Sequence, residues 1–94
     1  MTEWQRMISG RLYNPANKEI EKHHIRGLTL CDKFNRTPLT RWKKKDKLLL
    51  KLIPSSEGKD FAVFAPFYCE YGENIYVGRE CFVNYNCTFL DVSP

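Results

Sequence analysis

The chain has 94 residues, 43% hydrophobic and 28% charged, which suits one small folded domain and excludes a disordered or low-complexity chain. Its longest apolar runs, such as residues 48–50 and 61–65, fall far short of the ~20 residues of a membrane span. No apolar signal segment opens the sequence, so a cytoplasmic protein with no membrane partner is expected. The net charge is +4, from 15 Lys and Arg against 11 Asp and Glu, and much of the excess lies between Arg41 and Lys51, which predicts one basic surface.

Residues 1 to about 55 read as helical. Thr2 caps a first short helix, and Gln5 completes a capping box. Trp4, Met7 and Ile8 share one face, and Gly10 ends the helix. Asn17 caps a second helix, with Glu19 and Glu21 at its positive end. Ile20, His24, Leu28, Cys31 and Phe34 recur at the helical period. Gly27 lies inside this helix at a cost of about 1 kcal/mol against Ala, which points to close approach of another backbone. The stretch from Asn35 to Pro38 breaks the helix, and Thr37 with Pro38 opens a third. Leu39, Trp42, Leu49, Leu50 and Ile53 give that helix its expected apolar stripe.

After Lys59 aromatic and β-branched residues dominate and no helical period survives, so strands are predicted. From Val77 onward the chain divides into hexads. The first position holds Val77, Val83 and Phe89; the fifth holds Cys81, Cys87 and Ser93, with Ile75 upstream. Triangular coils explain this: each hexad forms one short side, a bulky residue points inward, and a small one sits beside it near a corner. The four cysteines, at 31, 69, 81 and 87, contain no Cys-x-x-Cys pair and are expected to be free thiols rather than zinc ligands.

Three collinear stretches carry a family resemblance. Met7-Ile8-x-Gly10-x-Leu12-Tyr13, with Ile25-Arg26-Gly27 and Phe34-Asn35, resembles the N-terminal helical region of the maltose and galactoside O-acetyltransferases. Pro66-Phe67-Tyr68-Cys69-Glu70-Tyr71-Gly72-x-Asn74-Ile75-Tyr76-Val77-Gly78 is similar to the segment that leads into their β-helix. Phe82-Val83-Asn84-Tyr85-Asn86-Cys87-Thr88-Phe89-Leu90-Asp91-Val92 resembles their first complete hexads. The resemblance implies an α+β fold, with a helical region over residues 1–58. Residues 59–94 would start a hexapeptide-repeat left-handed parallel β-helix, truncated after its first coil or coils. It also implies transfer of acetyl from acetyl-CoA to a hydroxyl of maltose, glucose or a galactoside, by a homotrimer with sites between neighbouring β-helices. The family's general-base His and most acetyl-CoA contacts lie on later coils. Neither His23 nor His24 aligns with that base, so no catalytic residue is assigned. One of the two is expected to pack and the other to face solvent. Acetyl-CoA binding and turnover by these residues alone are not expected.

The acceptor side is what the resemblance places here. Asn84 matches an acceptor-binding Asn, and Asp91 lies in the Leu-Asp segment beside the sugar. Glu70 falls where some members use a Ser on the sugar, Phe82 where a Tyr stands, and Arg26 on a family Arg. Val92 replaces the second Asp of the galactoside enzymes and matches the maltose-type Leu-Asp-Val, while Pro15 replaces a sugar-binding Asp. Each position has a structural alternative: corner conformations for Asn84 and Asn86, backbone bonding for Asp91, a salt bridge for Arg26, and coil covering for Phe82 and Tyr85. Two other classes stay open. One is a nucleic-acid-binding module built on Arg41, Lys43, Lys44, Lys45, Lys47 and Lys51 around Trp42, although Asp46 interrupts the run and a solvated helix face is the simpler reading. The other is a non-catalytic oligomerisation piece that pairs through an open coil edge.

Overall fold

The computed structural model describes all 94 residues as a helical cap on short parallel strands. Helix α1 (Glu3–Ile8) begins where its local chemistry dictates: the Gln5 N–H donates to Thr2 Oγ1 at 3.1 Å, and the Thr2 N–H donates to Gln5 Oε1 at 2.9 Å. Helix α2 (Lys18–Arg36) starts at Asn17, whose Oδ1 accepts the Glu19 and Ile20 N–H groups at 3.0 and 3.2 Å. Its buried face is Ile20, Gly27, Cys31 and Phe34, while Leu28, expected in the stripe, is exposed. Asn35, read from sequence as a breaker, is still helical. Its side chain pairs with the Phe67 peptide, donating to Phe67 O at 3.0 Å and accepting from Phe67 N–H at 2.8 Å. One amide thereby satisfies both backbone groups of a strand residue beside a helix.

The third helical segment differs from its expected stripe. A 3-10 turn (Leu39–Arg41) precedes α3 (Trp42–Leu52). The buried residues of α3 are Lys45, Leu48, Leu49 and Leu52, at spacings of three and four; of the expected stripe Leu49 and Ile53 are buried, whereas Leu39, Trp42 and Leu50 are exposed. Lys45 belongs to the interior rather than to the basic surface. Its ammonium lies 4.4 Å from the centre of the Phe34 ring and donates to Thr37 O at 3.2 Å, at the negative end of α2. Burial pushes its amine below the ordinary lysine range.

The four strands have three residues each. β1 (Phe61–Val63) pairs in parallel with β3 (Cys81–Val83), and β2 (Phe67–Cys69) with β4 (Cys87–Phe89). In both pairs the partners are 20 residues apart, two more than three hexads would take. Successive sides keep the period of six, Phe61 to Phe67 and Cys81 to Cys87. The extra residues fall between β2 and β3, where the chain wraps against the helices. The hexad columns face inward in part: Val77, Val83 and Cys87 pack on the core, whereas Phe89 is exposed although it meets Phe67 edge-on at 5.5 Å, and Ser93 is exposed. The core is Cys31, Phe34, Leu49, Leu52, Ile53, Phe67, Cys69 and Ile75, drawn from cap and coil together. No helix is long and apolar enough to cross a membrane.

Gly27 is the joint between the two parts. A Cβ there would stand 2.5 Å from Glu70 O and 3.0 Å from Tyr71 Cα, both backbone atoms that have nowhere to go. Gly72 is its counterpart: its φ of +80° suits glycine, and a Cβ would strike the Leu52 carbonyl oxygen. For Gly27→Ala, overpacking of about 1–3 kcal/mol or more outweighs a helix-propensity gain of about 1 kcal/mol. Urea denaturation of the variant is expected to show a net loss of about 2 kcal/mol, and unchanged or higher stability would show that the close approach does not exist.

Candidate functional site

The corner after β4 is organised by Asp91, which is 6% exposed. Its Oδ1 accepts the Glu70 and Tyr71 N–H groups at 3.1 and 2.9 Å. Its Oδ2 accepts those of Gly72 and Asn74 at 2.7 and 3.3 Å. Asn74 closes the loop from its own side, donating through Nδ2 to the carbonyls of Asp91 and Val92 at 2.9 and 3.2 Å. Both carboxylate oxygens are thus committed to backbone donors. The chemistry is that of a loop clamp, with four amides served by one ion.

Arg26 reaches the same corner from α2. It donates through Nη1 to Tyr71 O at 3.3 Å, through Nη2 to Lys51 O, and pairs with Glu73 at 3.3 Å. Glu73 also holds His23 Nδ1 at 2.8 Å, and the His23 ring stacks on Trp4 at 3.9 Å and 12°. His24 tilts against Tyr71 at 5.5 Å, so both histidines are half-buried and packed on aromatic rings, rather than one packed and one in solvent. Burial pushes the Tyr71 phenol above its ordinary range. Lys18, Lys22, His23, Arg26 and Glu73 border an open cleft of about 1040 Å³. Glu70 gives its N–H to Asp91 and leaves its half-buried carboxylate without a hydrogen-bond partner.

Phe82, in the middle of β3, and Asn84, between β3 and β4, sit on a different part of the coil. Asn84 Oδ1 accepts the Tyr85 N–H at 2.8 Å, and its NH₂ group is unengaged. Phe82, 58% exposed, meets Phe64 edge-on at 5.2 Å, and Phe64 stacks on Tyr85 at 4.7 Å and 9°. An aromatic shelf beside a free amide donor suits the apolar face and the hydroxyls of a sugar ring. Asn86 takes the left-handed conformation at φ +57° and gives its N–H to Pro66 O at 3.0 Å, which is corner chemistry.

The five candidate residues therefore form two groups: Glu70, Asp91 and Arg26 at one corner, Phe82 and Asn84 on another part of the coil. Glu73 and Asn74 were not singled out from sequence, because their partners lie 17 to 50 positions away. The residues present do not fit the phosphates of acetyl-CoA on the coils: over positions 61–94 Arg79 is the one cation, against Glu70, Glu73, Glu80 and Asp91. The two core thiols are not accessible nucleophiles. Cys31 and Cys69 lie 3.6 Å apart in the core. Their hydrogen bond lowers Cys31 to about 7, while that bond and burial push Cys69 well above the thiol range, but no substrate reaches either sulfur.

A helical cap clamped onto stacked parallel hexads defines the class of hexapeptide-repeat acetyltransferases. The maltose acetyltransferase hexapeptide capping motif matches residues 6–58, and the chain belongs to that family. The fold matches a maltose O-acetyltransferase from Clostridium difficile 630 with a TM-score of 0.92 and 36% identity, over 99% of this chain and 49% of that one. It also matches a hexapeptide-repeat acetyltransferase of Vibrio cholerae, complexed with acetyl coenzyme A, with a TM-score of 0.88 and 29% identity, over 100% and 50% of the two chains. The galactoside O-acetyltransferase of Escherichia coli is 31% identical across 97% of this chain and 43% of its own length. The chain spans about half the length of the relatives it matches.

Replacing the clamp tests its role directly. Asp91→Asn puts an NH₂ group among four donors and is expected to cost about 3 kcal/mol in urea denaturation. Asn84→Ala, on the exposed corner, is expected to stay within about 0.5 kcal/mol of the parent.

Proposed function

We propose that this chain forms the acceptor-side portion of a cytoplasmic sugar O-acetyltransferase, which moves acetyl from acetyl-CoA to a hydroxyl of maltose, glucose or a galactoside. Residues 1–58 are the helical cap, and residues 59–94 open a left-handed parallel β-helix. The observation that carries this reading is the stacking of one coil on the next beneath the cap, in the arrangement shared with the C. difficile maltose O-acetyltransferase at a TM-score of 0.92.

Within that reading, the Asn84 amide bonds acceptor hydroxyls and the Phe82 ring covers an apolar sugar face. Glu70 supplies a free carboxylate toward the acceptor. Asp91 and Arg26 serve by position: the first holds the 70–74 loop, and the second ties α2 to Tyr71 and Lys51. The two corners point to an acceptor site completed between protomers of a homotrimer, with one corner from each. The general-base His and the acetyl-CoA contacts come from coils outside these 94 residues.

The purified chain is expected to show no acetyl transfer to maltose, glucose or a galactoside in a coenzyme A release assay. Fused in register to the later coils of a relative, it is expected to regain turnover. In that fusion Asn84→Ala should lower kcat/KM for the sugar about tenfold or more, with little change in KM for acetyl-CoA. Turnover by the isolated chain, or a fusion indifferent to Asn84→Ala, would overturn the reading.

A further inference from the structure

The most uneven feature of the molecule is its charge. Residues 32–51 hold eight Lys and Arg against two Asp, while the remaining 74 residues carry a net charge of −2. Folding concentrates this excess where α2 ends and α3 begins. Two adjoining clefts of about 460 Å³ each share Arg41 and Lys44 as walls. Lys33, Arg36, Lys43 and Lys47 line their remaining sides, and no carboxylate lines either cleft. Asp32 neutralises Arg36 at 3.0 Å, and Lys45 is turned inward onto Phe34. Lys33, Arg41, Lys43, Lys44 and Lys47 have no acidic partner.

Leu39 and Trp42, which the helical period places in the core, are 70% and 58% exposed beside these cations. They border a narrow, mostly apolar groove of about 170 Å³ that continues onto Phe61 and Phe64 of the first coil, with Asp46 as the one carboxylate on its wall. Apolar side chains that the fold does not bury, ringed by unpaired cations, match the two layers of an anionic lipid interface. The cations take headgroup phosphates and carboxylates, while Leu and Trp enter the boundary below them. Single-stranded nucleic acid fits less well. Lys43 Nζ already lies 5.5 Å from the centre of the Trp42 ring, and an exposed aliphatic Leu39 gives a base nothing to stack on.

We propose that the α2–α3 corner is a peripheral docking surface for anionic lipid bilayers. The contact is superficial and salt-sensitive, so it coexists with the absence of any membrane-crossing helix. Its cations, Leu39 and Trp42 lie outside the proposed acceptor corners, and only Phe64 at the far end of the groove is shared with the aromatic shelf.

The test uses the whole 94-residue chain and vesicles of phosphatidylcholine with about 30% phosphatidylserine at low salt. Expected are co-sedimentation with the vesicles and a blue shift of tryptophan emission, with binding weakened about tenfold or more as salt rises from about 0.05 to 0.3 M. Pure phosphatidylcholine vesicles should show neither. The triple variant Lys43→Glu, Lys44→Glu, Lys47→Glu should lose binding while keeping its circular dichroism spectrum. Trp42→Phe should lose the emission shift yet still co-sediment, because Trp4 is stacked on His23. Equal binding to both vesicle types, no binding to either, a shift that survives Trp42→Phe, or salt-dependent capture of a single-stranded oligonucleotide without vesicle binding would each overturn the proposal.

Discussion

One buried carboxylate holds the two parts of this protein in register. Asp91 comes late in the chain, after β4, and its oxygens collect the N–H groups of Glu70, Tyr71, Gly72 and Asn74 from the preceding coil. Those residues sit where the chain leaves β2; the Glu70 N–H still shares the Phe89 carbonyl at 3.3 Å, but the amides of Tyr71, Gly72 and Asn74 have no ladder to join. Three unpaired donors in the interior would cost several kcal/mol in total, and an ion that accepts all of them removes that cost at one point. The stacking of β4 on β2 delivers the carboxylate, and the carboxylate in turn fixes the loop against which the helices rest.

From that loop the dependence runs outward into the cap. Gly27 lets α2 lie directly on the Glu70 carbonyl, and Gly72 lets the end of α3 approach from the other side. Arg26, next to Gly27, bonds the carbonyls of Tyr71 and Lys51, so one guanidinium joins α2, the loop and α3. Asn35 repeats the device one layer away on the Phe67 peptide. The apolar core supplies most of the stabilisation, while these polar contacts select a single arrangement of cap on coil.

The same economy separates the candidate site into residues with different work. Asp91 and Asn86 are consumed by the backbone, whereas Asn84, Phe82 and Glu70 keep polar groups or ring faces unengaged. Chemical type alone does not distinguish them, since an Asn or a carboxylate serves a corner as readily as a sugar. What distinguishes them is whether their hydrogen-bonding capacity is already spent.

Local chemistry was legible in the residues themselves. The Thr2 and Gln5 capping box, the Asn17 cap, the switch to strand composition after Lys59, the six-residue columns and the tight approach at Gly27 all depend on a few neighbours or on a simple period. The burial within α3 was not, because Leu39 and Trp42 stand at the start of this helical segment, where no other element covers them, while Lys45 shares the Leu48, Leu49 and Leu52 face. Nor was the 20-residue advance of the coil, which depends on a loop shaped by contact with the helices. The amino-acid order by itself determined which segments are helical, which are strand, and the six-residue rhythm of the hexads, because those follow from interactions within one turn or one side. Only the tertiary structure decided which of several equivalent polar residues are spent on the backbone and which remain free, because that depends on partners brought together from 17 to 50 positions apart.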